Sequence, residues 1–159
     1  EEKDRMSQAL IVEVDADNRV LVKVLDVDEG KIMREFLIDN ITKENKTKYS
    51  FKTRSENASA PVFAEGAALE YKKDGLKHYI TVPQAKVSED NEVFVYRLSV
   101  ENKYGMTVRE DWAFSDYFYS DMPESITFDG FITLGKDYTV KVCAEDVWGN
   151  RSDWLEIKT

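Results

Sequence analysis

From Val93 to Val100 the chain places Phe94, Tyr96, Leu98 and Val100 at every second position, and Arg19–Val24 and Tyr138–Ala144 repeat the pattern. A period of two sends successive side chains to opposite faces of a strand, so each run can bury one face and wet the other. Runs of this kind recur, separated by Gly, Asn and Asp turns, and no long stretch has the 3.6-residue period of an amphipathic helix. The pattern predicts an all-β protein built from antiparallel sheets.

Three runs come first. Ala9–Val14 is followed by the turn residues Asp15-Ala16-Asp17-Asn18, then by Arg19–Val24, then by Asp28-Glu29-Gly30 and Ile32–Ile38. This predicts a small antiparallel meander. A three-stranded piece is marginal in isolation, so it is expected to pack on something else. Asn40–Ala60 is polar and reads as a linker, with Tyr49-Ser50-Phe51 as its one place to be pinned. Two regions follow: residues 1–58, meander and linker, and residues 59–159, a β-sandwich. The sandwich strands are predicted at 68–71, 78–82, 93–100, 107–118, 125–128, 138–144 and 154–158, at roughly the ten-residue spacing such folds show.

The closing stretch Leu134–Ser152 contains a Gly turn, Tyr138, alternating valines, and Ala144-Glu145-Asp146-Val147-Trp148-Gly149-Asn150-Arg151-Ser152. It resembles the end of a fibronectin type III domain. The resemblance implies a fibronectin type III/Ig-like sandwich with structural roles for three residues. Tyr138 supplies a tyrosine corner near Leu134, Gly149 takes a positive φ in the last hairpin turn, and Asn150 tolerates the same region. A proline before Gly135 and a tryptophan in the second strand, both usual in that family, are missing.

Over the whole chain the order of hairpin, third strand, polar linker, Ala60–Ala67 and sandwich is similar to the C-terminal region of exported calcineurin-like metallophosphoesterases of Bacteroides-type bacteria. That resemblance implies an exported protein, periplasmic, cell-surface or extracellular. It also implies an upstream catalytic domain of the same chain as partner. The opening Glu1-Glu2-Lys3-Asp4-Arg5 fits a cut into a longer protein or a matured end.

The chemistry of this segment is sparse. Two-metal hydrolysis needs dense His and carboxylate ligands, and the chain has one histidine, His78. It reads as a packed strand residue, and Cys143 as a small, partly buried one. Asp26, Asp28 and Glu29 beside Gly30 have calcium-like chemistry but lack a full ligand loop, so a solvated turn is the simpler reading. No phosphate-binding glycine loop is present. No catalytic residue, metal site or cofactor is therefore assigned. The net charge of −9 argues against nucleic acid and anionic membrane surfaces. No apolar run is long enough to insert in a membrane.

The aromatic residues leave one candidate binding surface. Trp112, Phe114, Tyr117, Phe118 and Tyr119 crowd one strand and its exit, and Trp148 sits in the last turn. Trp112, Tyr117 and Trp148 are the candidate binding residues, either for a glycan stacked on coplanar rings or for a protein. Their plainer reading is core and sandwich-end packing. The function expected from all this is a non-catalytic accessory region, with a carbohydrate- or protein-binding module as the alternative.

Overall fold

The computed structural model describes residues 7–39, 42, 46–88, 91–115, 123–132 and 137–159. The chain divides into two compact units, Glu1–Arg54 and Ser55–Thr159.

The first unit is a meander of β1 (Gln8–Val14), β2 (Val20–Asp26) and β3 (Lys31–Ile38), all antiparallel. Its turns are closed by aspartates. Asp15 Oδ1 accepts the backbone N–H of Asp17 at 2.9 Å and of Arg19 at 3.1 Å. Asp26 Oδ1 accepts those of Asp28 and Glu29 at 2.9 and 3.1 Å, and Gly30 follows at φ +65°. These are Asx-type turns, in which a short carboxylate replaces a backbone acceptor. Pairing of β2 with β3 shifts between Val24 and Leu25, which leaves Met33 as an extra, bulged residue on β3.

The polar stretch after β3 is not only a linker. A 3-10 turn spans Lys46–Tyr49 and a short helix, α1, spans Phe51–Asn57. Ser50 caps α1, its Oγ accepting the Thr53 N–H at 3.2 Å. Tyr49 is pinned by donating its hydroxyl to the Asp39 carbonyl at 2.8 Å. Seven residues make only two turns of helix, too few for an apolar period to stand out in sequence.

The second unit is a sandwich of the fibronectin type III/Ig-like kind. Its strands are β4 (Glu70–Asp74), β5 (Lys77–Pro83), β6 (Val93–Glu101), β7 (Thr107–Phe114), β8 (Ser125–Ile132), β9 (Thr139–Asp146) and β10 (Leu155–Lys158). One sheet has the order β4-β5-β8 and the other β10-β9-β6-β7. Ile80, Val82, Ile126 and Phe128 of the first sheet meet Tyr96, Leu98, Val100, Val140 and Val142 of the second in a closed apolar core. Tyr96 lies fully buried in that core. Its hydroxyl accepts the Ala85 N–H at 2.8 Å and donates to Gln84 Oε1, and burial pushes its pKa up to about 12.

One expectation changes here. Phe94 does not share a face with Tyr96, because a bulge between Val93 and Val95 breaks the alternation, and Phe94 is 38% exposed. The fourth sandwich strand is observed over Thr107–Phe114, and residues 116–118 of its expected range lie outside the described residues. Ser115, just past the strand, donates its N–H to the Phe94 carbonyl at 3.2 Å and its Oγ to the Val93 carbonyl at 2.7 Å.

Candidate functional site

The motif read as the end of a fibronectin-like domain turns out to be organised by Asp146, which sequence reasoning gave no role. The residue is 1% exposed. Its Oδ1 accepts the N–H groups of Trp148 and Asn150 at 2.9 and 2.8 Å. Its Oδ2 accepts the side-chain amides of Asn91 and Asn150 at 2.8 and 2.9 Å. Four donors satisfy a carboxylate that would otherwise be costly to bury. Gly149 has φ +90°, whereas Asn150 is outside the positive-φ region and serves as a double donor. Asn91 also donates to the Ser59 carbonyl at 2.8 Å, so the network ties three segments of the sandwich together. The spacing of Asp146 and Gly149 was the signal that could have exposed this role.

Next to it, on the outer face of the four-stranded sheet, Glu145 is gripped by Arg97 at 2.6 and 2.7 Å and by Arg151 at 2.6 Å. The hydrogen bonds from Arg97 hold its carboxyl below the usual carboxylate range, and Arg97 is raised in turn. Cys143 sits directly opposite Arg97 in the ladder and is fully buried rather than partly so. Burial raises its thiol pKa, which keeps it protonated and unreactive.

His78 is also buried, at the end of the core. Its Nδ1 lies 2.7 Å from the Tyr71 hydroxyl, and its Nε2 has no partner among the described residues. Tyr138 packs against the core, while the Leu134 end of its expected corner lies outside the described residues. No cluster of three or more metal-ligating side chains occurs among the described residues. Among those residues, no helix is long and apolar enough to cross a membrane.

Of the two candidate binding residues that the structure describes, Trp112 is the more open, at 54% exposure. It packs edge-on against Phe114, with ring centres 4.9 Å apart and planes at 79°. Phe94 meets Phe114 at 5.5 Å and 61°. Rings crossed at these angles do not offer a sugar one flat stacking surface. Trp148 is half-buried in the Asp146 turn. It follows β9, which is separated from β7 by β6, about 10 Å across the sheet. Tyr117 lies outside the described residues. Among the described residues, Trp112 thus stands with Phe114 and Phe94, apart from Trp148.

An uncovered apolar surface lies in the first unit. In-register pairing stacks Leu10–Val24–Arg34, Val12–Val22–Phe36 and Val14–Val20–Ile38 on one face of the meander. None of these residues is buried. Leu10, Val12, Val14 and Phe36 are 67%, 57%, 69% and 44% exposed. Covering a side chain of this size contributes about 1.5–3 kcal/mol. Left open, the face forfeits several times that in a piece too small to form its own core. Beside the Asp15–Arg19 turn lies a hollow of about 260 Å³ bordered by Glu13, Val14, Asp15, Arg19, Leu21 and Leu37. Its guanidinium is already engaged by Asp15 at 2.7 Å.

No family profile matches this chain, and no curated protein does. Among solved structures it is similar to an endonuclease/exonuclease/phosphatase from Beutenbergia cavernae DSM 12333. That likeness has a TM-score of 0.43 and 10% identity, covering 64% of this chain and 27% of the other. It is also similar to a hypothetical protein from Pyrococcus horikoshii OT3, with a TM-score of 0.40 and 14% identity over 64% of this chain and 86% of the other.

Proposed function

We propose that this chain is the non-catalytic accessory region of a larger exported metallophosphoesterase, whose catalytic domain lies in the same polypeptide. The supporting observation is the uncovered apolar face of the meander. A sheet with Leu10, Val12, Val14 and Phe36 open on one face has the character of half a sandwich. A sheet of an adjoining domain would complete it, and the fibronectin-like unit would then shield, orient or space the catalytic part. The phosphoesterase assignment itself rests on the whole-chain sequence resemblance.

The test uses the complete reading frame, purified with and without residues 1–159. The accessory reading expects all p-nitrophenyl phosphate hydrolysis to stay with the remainder, and that remainder to melt at lower temperature once residues 1–54 are gone. Chelator-sensitive hydrolysis by residues 1–159 alone, or a remainder with no metal-dependent phosphoesterase activity, overturns it.

A binding module is the second reading, and Trp112 is what favours it. A glycan or protein ligand lost in Trp112→Ala, with the fold retained, would establish that module in place of the accessory role.

A further inference from the structure

The described sheets have six outer strands, and five of them are guarded against pairing. β3 and β7 carry the bulged residues Met33 and Val108, and the ladder of β8 shifts between His78 and Ile80. On β7, Arg109 and Asp111 stand opposite the core residues Val100 and Leu98, placing charge on the inner side of an edge. β4 is five residues long with Lys72 and Lys73, and β10 is four residues long with Glu156 and Lys158. Bulges, inward charges, lysines and short length are the usual means of blunting an edge. β1 has none of them. It is seven residues long, pairs without a register shift, and carries one charge, Glu13.

The hydrogen bonds beyond the two ends of the β1–β2 ladder fix which backbone groups of β1 are open. Val27 N–H donates to the Ser7 carbonyl at 2.8 Å and Asp15 N–H to the Arg19 carbonyl at 3.1 Å. In an antiparallel pair, bonded and non-bonded positions alternate. Odd-numbered residues of β1 therefore bond β2, and the N–H and C=O groups of Leu10, Val12 and Val14 point away from it.

We infer that β1 pairs antiparallel with β1 of a second copy of this chain, about a two-fold axis at Ile11. In that register Leu10 faces Val12 of the second copy and Val12 faces its Leu10, so the outward backbone groups meet outward groups. Glu13 falls opposite Ala9 of the second copy instead of its own counterpart, and it is held by Lys23 at 3.0 Å. No like charges oppose each other. The contact is isologous, and the outer strands of the joined sheet are then the two bulged, charged β3 strands, so assembly stops at two. This pairing is independent of the accessory reading, which concerns the sheet's face and not its edge.

Sedimentation of the 159-residue protein from about 1 µM to about 1 mM is expected to show a monomer–dimer equilibrium. Residue-resolved amide exchange should show protection at Leu10, Val12 and Val14 rising with concentration, while Ile11 and Glu13 are protected throughout. Val12→Pro removes an outward N–H without touching the β1–β2 bonds, and should weaken dimerisation by about tenfold or more. Leu10→Lys, which keeps every backbone donor, carries the same expectation should the proline unfold the meander. Phe36→Arg, on the apolar face but away from β1, should leave the dimer intact. A monomer at every concentration overturns the inference, as does a dimer that survives both β1 variants or is lost in Phe36→Arg. Protection of the three edge amides in a persistent monomer would assign the edge to another occupant and equally overturn it.

Discussion

At the scale of single residues, the sandwich depends on a few polar groups that have no slack. Asp146→Ala leaves the Trp148 and Asn150 N–H groups and the Asn91 amide short of an acceptor. Orphaned buried donors cost about 1–3 kcal/mol each before relaxation, so a net loss of about 3 kcal/mol is expected in urea unfolding. Glu145 differs, because both its arginines are about half open to solvent. Glu145→Gln should cost about 1 kcal/mol at neutral pH. Its carboxyl is depressed in the folded state below the ordinary 4.5. The stabilisation is therefore complete above that value and fades as pH falls through the lower, folded one. Urea titrations of the two proteins should converge in acid and stay apart at pH 7. A gap that widens in acid would refute the ion-pair account.

At the scale of elements, position in the ladder decides what a substitution costs. Leu98, sealed between the sheets, should lose about 2–5 kcal/mol when cut to alanine. Trp112 is larger but stands on the outer face, so Trp112→Ala should cost well under half of that when both variants are compared in thermal unfolding. Gly149→Ala forces a Cβ into φ +90°, a penalty of about 1–2 kcal/mol. The strands were legible because alternation is a direct imprint of a half-buried sheet, and most were read to within a few residues of their observed ends. The bulge at Val93–Val95 was not legible, since one extra residue flips parity without changing composition, and Phe94 was misplaced for that reason. Helix α1 was missed because its cap, Ser50, stands in a polar run where serines are common. Of the candidate site, Trp112 could be seen in sequence. Its partners Phe94 and Phe114 come together across the β6–β7 ladder, which only register reveals.

At the scale of the whole molecule, the two units differ in how they are held. Ser55–Thr159 has a closed core, and Glu1–Arg54 contains no buried side chain among its described residues. Opening free energies follow buried apolar contact. Amides in β2 should accordingly exchange far faster than those in β6 and β9 in the isolated protein, and equal protection would contradict the half-sandwich reading. The single bulge at Met33 has a consequence of its own. Deleting that residue would bring Ile32 and Arg34 into an unbroken ladder and give the meander two straight margins instead of one. A unit that can bond on both sides has no reason to stop adding neighbours. Purified Met33-deleted protein should therefore seed thioflavin-positive filaments at concentrations where the parent chain stays clear.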